Sequence, residues 1–472
     1  MWPAALVAGA LAAAAPDAPD DGFDAPLQLL YDGATDAALA DFARLGEAFP
    51  ADPLPVYFEA LSLAWKLEQR PERRDDDARL LRLADLAIDR ARSRLHREPL
   101  QVRALFGRGA AHGVKSRLHL FRRNKGAAAR EAVAMREDLR RVVALEPGHE
   151  DARFGLALYD YYADVLPRML KLLRALMGIP GGDRKRGLAG LRRAAQQAPW
   201  HGTEAQAQLY EIGAHYEHDP DAALVPARWL RERFAGSPLW GLRLGEHLAL
   251  RLGLYAESVQ VFEAVLESAE RGHPNYAPGV ALLAALGRAE ALLLDLRFDA
   301  ARASLAAISP EPGPSRARHV ELAARLAALE SDPAARAVAQ ARRLAEQGRC
   351  AEAASACQEV LRLRPRDLEA ALCVAEADLR AGRGQAANAV LQRVAKLERP
   401  QPPSLGPRAR LLLAELRERQ GRRGEAVRLY KEVSVKPGGV EARRREAEES
   451  LRRLEGGSSP DSTPPTSSEH SR

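Results

Sequence analysis

The chain has 472 residues, which is enough for two to four ordinary domains or for one long repeat array. Hydrophobic residues make up 46% of it and aromatic residues only 5%, and it is rich in alanine, leucine and arginine, which favour helices. The 70 basic residues are interleaved with 64 acidic ones, so the net charge of +6 does not form the basic face that nucleic-acid binding requires. The composition predicts an all-α protein and argues against a nucleic-acid partner.

The first residues are typical of a secretory signal. Residues 4–15 form an uninterrupted run of small apolar side chains, too short to span a bilayer, with alanine-rich cleavage options at 13–15 and at Ala18. No lysine or arginine precedes the run, so a cytoplasmic protein with an apolar tip, or a wrongly set start codon, is the alternative. We expect residues 1–18 to be a signal peptide and the protein to be periplasmic or otherwise exported from a bacterium.

Three C-terminal segments share one spacing of residue types. They start at Gly348, Gly382 and Gly421; the first two glycines lie 34 residues apart, and a proline-rich insert at 399–404 delays the third. After each glycine come a small residue, two apolar residues four and seven positions later, and a closing proline. These are Ala353, Cys357, Val360 and Pro365, then Ala387, Leu391, Val394 and Pro400, then Ala426, Tyr430, Val433 and Pro437.

This spacing resembles the tetratricopeptide repeat (TPR), a 34-residue helix–turn–helix unit. The glycine suits the turn, the small residue lets the two helices approach closely, the apolar residues fill the seam, and proline ends the second helix. Looser versions occur at 255–267, at 297–310 and near Ala38 and Met135. Because one hairpin cannot bury its apolar face alone, we expect an α-solenoid of stacked TPR-like repeats.

The same template predicts the domain organisation. We expect a divergent N-terminal array at 25–237, a C-terminal array with a polar capping helix at 238–456, and a disordered tail at 457–472, where no apolar residue offsets the entropy of ordering. An amphipathic helix at 165–177 is inserted in the first array. We expect its apolar stripe to pack within the solenoid, with contact to a membrane or a partner as the alternative.

The stretch GIPGGDRKRGLAGLRRA, residues 178–194, has the glycines and basic residues of a phosphate-binding loop. A P-loop requires a second glycine five residues after Gly178, but Asp183 stands there and would repel a phosphate. Gly187 and Leu191 instead repeat the spacing of the second helix of a hairpin, and Asp183 suits a helix N-cap. The stretch is therefore predicted to be an enlarged turn within a repeat.

Tyrosines, a Leu-Pro step and this glycine-rich turn mark the centre of the chain. The residues concerned are Tyr159, Tyr161, Tyr162, Leu166, Pro167, Gly178, Pro180, Gly182, Asp183, Arg184, Gly187 and Leu188. They resemble a family of exported bacterial TPR proteins and are more distantly similar to the eukaryotic TPR family that includes the yeast inclusion-body clearance protein. The resemblance covers residues 100–270. It implies a repeat scaffold with an inserted amphipathic helix, and it brings no catalytic residues.

The three cysteines are too few for a disulfide framework. Cys350 and Cys357 lie on one predicted helix, about 10.5 Å apart by helical rise, which is too far for a bridge. Cys357 and Cys373 can in principle meet across neighbouring helices. We expect all three to be small buried hydrophobic residues.

Partner-binding residues are expected on the first helix of each C-terminal hairpin, which lines the concave surface of a TPR array. The template places six charged residues there, and their mixed signs suggest a groove for a charged peptide. They are Arg342, Glu376, Arg380, Glu415, Glu418 and Arg419.

We therefore predict a non-catalytic TPR scaffold that binds a protein or peptide partner in the cell envelope, with no cofactor. A membrane-peripheral adaptor that uses the 165–177 helix is one alternative. The other is a metal-binding or enzymatic helical protein that uses His215 and His218. Those two histidines lack a further ligand at zinc-site spacing, which favours a surface pair.

Overall fold

The computed structural model describes residues 16–69, 73–165, 180–276, 278–309, 312–397, 404–435 and 441–456. Across these ranges the regular structure is entirely helical, without a strand, as the composition predicts. Residues 1–15 of the predicted signal, nearly all of the predicted 165–177 helix and the predicted tail at 457–472 lie outside the described residues.

The chain divides into two compact units. Unit 1 comprises Met1–Ile212 with Trp229–Trp240. Its helices, preceded by a 3₁₀ turn at Asp20–Phe23, are α1 (Asp24–Tyr31), α2 (Thr35–Ala48), α3 (Pro53–Gln69), α4 (Asp77–Arg97), α5 (Val102–Phe121), α6 (Lys125–Leu145), α7 (Glu150–Asp164), α8 (Arg184–Gln197) and α9 (Gly202–Glu211).

Unit 2 comprises Gly213–Arg228 with Gly241–Arg472. Helix α10 (Pro220–Arg233) contributes residues to both units, and π-helical turns lie at Ile212–Tyr216 and His247–Leu252. The later helices are α11 (Pro238–Glu246), α12 (Tyr255–Glu270), α13 (Pro278–Leu294), α14 (Phe298–Ala306), α15 (Pro314–Ser331), α16 (Pro333–Glu346), α17 (Cys350–Leu363), α18 (Leu368–Arg380), α19 (Gly384–Ala395), α20 (Leu405–Arg419), α21 (Arg423–Val435) and α22 (Glu441–Gly456).

The C-terminal hairpins of unit 2 are α16–α17, α18–α19 and α20–α21, and they follow the predicted TPR-like spacing. Gly348, Gly382 and Gly421 lie in the turns with φ of 76°, 79° and 72°, in the left-handed region that glycine adopts without strain. The small and large apolar positions of the template are all buried. They are Ala353, Cys357 and Val360, Ala387, Leu391 and Val394, and Ala426, Tyr430 and Val433.

Unit 1 is built from the same kind of hairpin, but its interior is richer in rings and charges. Phe42, Phe58 and Phe106 are among its largest fully buried side chains. Asp52 is completely buried and accepts hydrogen bonds from Arg103, with Nη2–Oδ2 at 2.8 Å. Since a buried carboxylate requires such partners, this pair holds α5 against the turn before α3.

The glycine-rich stretch is the turn between α7 and α8, as the repeat interpretation predicts. The Asp183 carboxylate caps α8 by accepting a hydrogen bond from the Arg186 amide at 2.9 Å. A Cβ atom on Gly187 would lie 2.6 Å from the Tyr161 nitrogen, so only glycine lets the two helices pack this closely. The Arg186 guanidinium pairs with Asp160 through bonds of 2.6 and 2.7 Å. The charge of Arg186 is therefore already paired within the fold.

The segment between α7 and α8 starts and ends at neighbouring points. The Tyr159 hydroxyl donates to the Pro180 carbonyl at 2.8 Å, and the Arg184 amide donates to an Asp164 carboxylate oxygen at 3.0 Å. The described residues on either side of 166–179 are therefore held together by these two hydrogen bonds.

Candidate functional site

The six predicted partner-binding residues lie on α16, α18 and α20, the first helices of the three C-terminal hairpins. Arg342, Glu376 and Glu415 occupy the same repeat position, since they are separated by the same intervals as the turn glycines. Arg380 and Arg419 follow four residues after Glu376 and Glu415, so the last two hairpins carry the same Glu–Arg pair. The structure shows that these residues differ in how free they are to meet a partner.

Arg342 joins two neighbouring hairpins. Its guanidinium forms two hydrogen bonds to Glu369 on α18, at 2.6 and 2.8 Å, and a third to Asp295 at 3.3 Å. Burial alone would lower the pKa of Arg342, but the bonds to Glu369 and the charge of Asp295 raise it. A side chain held in this way contributes to the stability of the array, and its charge is not available to a partner.

Glu376 and Arg380 form a pair on α18 whose members differ in exposure. Glu376 accepts from Arg380 at 2.6 Å and from Arg408 on α20 at 3.0 Å, and its side chain is only 17% exposed. The Arg380 side chain is 54% exposed and also contacts the sulfur of Cys350. Glu376 therefore connects α18 to α20, whereas Arg380 can turn toward a partner at the small cost of a surface pair.

The predicted residues on α20 also differ in whether they link helices or remain at the surface. Arg419 pairs with Glu415 and donates to the Leu379 carbonyl at 2.7 Å. Glu418 accepts from Arg453 on α22 at 2.8 Å and from the Tyr430 hydroxyl at 3.0 Å. Burial, together with the nearby Glu418 charge, raises the pKa of Tyr430. Glu418 is thus a structural link to the capping helix, while Glu415 remains at the surface.

The capping helix α22 adds charges that the repeat template does not include. Arg443 donates to the Ser404 carbonyl at 3.3 Å, and burial, with Arg408 nearby, lowers its pKa to about 10. Glu446 lies at the surface with part of its side chain covered by neighbouring residues. This partial burial, together with the Glu415 and Glu376 carboxylates, raises its pKa. Within the described part of the chain, no hydrogen bond to Glu446 is formed.

Carboxylates and guanidinium groups from three helices therefore converge at one place in unit 2. We call this set the charge cluster. It consists of Glu376, Arg380, Arg408, Glu415, Arg443 and Glu446. Burial is the first cause of the raised pKa of Glu446, and the carboxylates of Glu415 and Glu376 add to it, so a cation placed beside these carboxylates would relieve their repulsion. Sequence reasoning missed Arg408, which lies on α20 itself, and it missed Arg443 and Glu446 because the repeat spacing ends before the capping helix.

Unit 1 contains a buried chain of polar side chains that the sequence did not reveal. His201 Nδ1 lies 2.9 Å from Asp151 Oδ1, and its Nε2 lies 2.5 Å from the Tyr57 hydroxyl. This order of groups is compatible with proton transfer, but Tyr57 and His201 are both only 3% exposed. Burial and the nearby Glu204 carboxylate raise the pKa of Tyr57 well above its ordinary value. The chain therefore satisfies buried polar atoms and offers no accessible nucleophile.

The two histidines of the metal hypothesis flank the end of a π-helical turn. His218 lies in the turn before α10 with φ of 51°. Among the residues that the structure describes, no three His, Cys, Asp or Glu side chains are placed to hold a metal ion. Over the same residues, no helix is both long enough and apolar enough to cross a membrane.

No protein-family model and no curated protein matches the sequence. Solved structures that align with the chain include the TPR domain of P58(IPK), which is 14% identical over 86% of this chain and 99% of that one, with a TM-score of 0.24. Yeast Tom70 is 10% identical over 92% and 95%, and a monomeric mutant of IFIT1 with Gppp-AAAA is 12% identical over 92% and 86%, each with a TM-score of 0.28. TM-scores this low do not support a conclusion about the fold, so the TPR-like character of the chain is inferred from its own hairpins.

Proposed function

We propose that this protein is a non-catalytic TPR-like scaffold that binds a protein or peptide partner through the charge cluster of unit 2. The observation that carries the proposal is Glu446. Its carboxylate lies near those of Glu415 and Glu376 and forms no hydrogen bond with a cation among the described residues, and burial together with these two carboxylates raises its pKa.

The chemistry of the cluster indicates what kind of partner fits. A lysine or arginine side chain placed at Glu415 and Glu446 would relieve the repulsion between these carboxylates, which favours a basic segment. Arg380 lies close enough to influence the pKa of Glu446 and is half-exposed, so it can accept an acidic group next to the basic one. We therefore expect a peptide with mixed charges, in which the basic group contributes most to binding.

The experiment is affinity purification from the native host with quantitative mass spectrometry, followed by titration of the purified partner. Reversing charge with Glu415→Lys and Glu446→Lys together should weaken binding by about tenfold or more, because attraction at the cluster becomes repulsion. Glu376→Lys is a poorer test, since it also breaks the link from α18 to α20 through Arg408.

The matched control uses glutamates at similar exposure on the second helices of two hairpins. Glu359 on α17 and Glu432 on α21 each have side chains 44% exposed. Glu359→Lys with Glu432→Lys makes the same change in net charge away from the cluster, so binding should stay within twofold of the wild type. If both double variants keep helicity and retain every partner equally, the cluster is not the binding site.

We also propose that the protein is exported, on the evidence of the apolar run at residues 4–15. The Ala18 amide donates to Asp52 at 3.0 Å, and Asp17 pairs with Arg94 in the same region of unit 1. Cleavage at 13–15 keeps both contacts, whereas cleavage after Ala18 removes them. Intact-mass measurement of protein from the periplasmic fraction should find a chain starting at residues 14–16. A full-length chain in the cytoplasmic fraction would contradict export.

A second candidate function follows from the sequence between α7 and α8. This sequence is apolar with interspersed basic residues, and the described residues on either side of it are held together at Pro180 and Arg184. These features suit a segment that touches an anionic membrane surface. Flotation with anionic liposomes should then fail for the Leu170→Asp variant while its helicity is unchanged. Equal flotation of both proteins, or flotation of neither, would exclude this function.

A further inference from the structure

Cys357 and Cys373 face each other across the seam between α17 and α18. Each lies eight residues from Pro365 in the connecting turn, so in antiparallel helices they reach the same height, about 12 Å from that turn. Both belong to one apolar cluster, in which Cys357 is buried and Cys373 packs against it. Cys350, at the start of α17, lies two turns away from Cys357 on its own helix.

The two helices pack closely at this point. The Cys373 sulfur lies 3.7 Å from the main-chain oxygen of Ala353, which precedes Cys357 by about one turn on the same face of α17. Ala353 and Ala370 are both buried, and side chains this small allow the two backbones to approach. A disulfide requires Cα atoms within about 7 Å, and only closely packed helices meet that requirement.

The two thiols differ in access and acidity. Cys357 is 3% exposed, whereas Cys373 is partly open to solvent. The neighbouring Cys357 thiol, assisted by the Arg408 guanidinium, lowers the pKa of Cys373 in spite of burial. The Cys373 thiol, together with burial, raises the pKa of Cys357. Cys373 is therefore the thiol that an oxidant reaches first and in its reactive form.

We propose that Cys357 and Cys373 form a reversible disulfide that joins the α16–α17 hairpin to the α18–α19 hairpin. The oxidant is a low-molecular-weight disulfide such as oxidised glutathione. The Cys373 thiolate attacks one of its sulfurs, which forms a mixed disulfide and releases one glutathione thiolate.

The second step completes the exchange. The released thiolate takes the Cys357 proton, and the Cys357 thiolate attacks the Cys373 sulfur and displaces the second glutathione. In total, two protein thiols and one small disulfide become one protein disulfide and two small thiols. Reduction by dithiothreitol reverses both steps.

The test treats the folded full chain with excess oxidised glutathione at mildly alkaline pH. We expect the loss of two of the three free thiols and a peptide pair linked through Cys357 and Cys373 in a non-reducing digest. The thermal midpoint should rise by about 5 °C, since the bond closes a short loop in the unfolded chain, and should return after reduction.

Three variants separate this pair from other thiol chemistry. Cys350→Ser should form the same linked peptide pair. Cys357→Ala should stop at a mixed disulfide on Cys373, whereas Cys373→Ala should form no disulfide within the chain. Retention of all three thiols, a link to Cys350, or disulfide-linked dimers from protein whose helicity matches that of the reduced form would each overturn the proposal.

Discussion

The two units bury different chemistry, although both are built from helical hairpins. Among the described residues, nine buried side chains of unit 1 are aspartate, glutamate, histidine or arginine, against two in unit 2. Those of unit 1 are Asp52, Glu59, Arg94, Asp138, Glu150, Asp151, Asp160, His201 and Glu204, and those of unit 2 are His247 and Arg417. Paired charges thus hold the interior of unit 1, whereas apolar contacts that recur in each hairpin fill that of unit 2.

The two units therefore hold the same kind of helical hairpin together in two ways, by buried charge pairs and by apolar contacts. A buried ion pair tolerates one geometry, because each charge that loses its partner is strongly destabilising. An apolar seam of alanine and leucine accepts small shifts and can be repeated. We expect unit 1 to be less tolerant of polar substitution than unit 2, and the following predictions test that comparison.

The largest effect is expected where a buried charge loses its partner. Asp52 accepts two bonds from Arg103 and caps the start of α3 by accepting from the Leu54 amide at 3.0 Å. Asp52→Ala should lower the free energy of unfolding by about 3–5 kcal/mol, measured by urea denaturation. Asp89→Ala, which removes a carboxylate 68% exposed in the same unit, should have no resolvable effect. Equal losses from both variants would contradict the comparison.

A smaller loss is expected from filling the contact between α7 and α8. In Gly187→Ala the added methyl group would lie 2.6 Å from the Tyr161 nitrogen, so the helices must separate, at a cost of about 1–3 kcal/mol. Gly424, in the first turn of α21 in unit 2, has nothing within 4 Å of the equivalent position. Gly424→Ala should therefore raise the stability by up to about 1 kcal/mol, since alanine is the better helix former. Thermal unfolding should therefore give a lower midpoint for Gly187→Ala and a higher midpoint for Gly424→Ala than for the wild type.

One kind of turn occurs with and without glycine in each unit, with Gly33 and Arg123 in unit 1 and with Gly382 and Leu296 in unit 2. In unit 1, Arg123 has φ of 58° and the turn bonds Arg123 N to Leu120 O, as Gly382 N bonds to Leu379 O in unit 2. Arg123→Gly should raise the free energy of unfolding by about 0.5–1 kcal/mol, because it removes left-handed strain. Gly382→Ala should lower it by about 1 kcal/mol. Chemical denaturation of both variants measures the two effects, and a loss in Arg123→Gly would mean that the arginine makes a compensating contact.

The smallest effects concern pH, and they have opposite signs in the two units. Burial would raise the pKa of Asp151, but the bond from His201 outweighs it and the pKa falls below the ordinary 3.8. Asp151 therefore stabilises unit 1 above about pH 4 and loses this contribution as the pH falls through its lowered pKa. Burial raises the pKa of Asp295 in unit 2 despite Arg342. Unit 2 should therefore gain stability as the pH falls through that raised pKa toward 3.8.

Asparagine variants isolate these contributions. The difference in the free energy of unfolding between the wild type and Asp151→Asn should shrink only below about pH 4, whereas the difference for Asp295→Asn should shift in favour of the wild type between neutral pH and about pH 4. Urea titrations at a series of pH values measure both. If the two differences in the free energy of unfolding change with pH in the same way, the units do not differ in how their stability depends on pH.

The features that could be predicted from the sequence are those that depend on local or repeated residue patterns. The turn glycines, the small residues after them and the Asp183 cap were all readable, because each depends on a few neighbouring positions. Asp52 and Arg103 lie 51 residues apart, and no periodic pattern connects them. Glu446 lies on a helix that the repeat template does not cover, so its approach to Glu415 needed the three-dimensional arrangement.

The two hydrogen bonds between the end of α7 and the start of α8 have a consequence for how this chain can be altered. The Tyr159–Pro180 and Asp164–Arg184 hydrogen bonds join α7 to α8 directly, so the packing of the two helices does not depend on the length of the segment between them. Each doubling of a flexible connection between two fixed points costs only about 0.6 kcal/mol in closure entropy. A foreign domain, a reporter or a purification tag inserted between Val165 and Pro180 should therefore leave the packing of α7 against α8 unchanged.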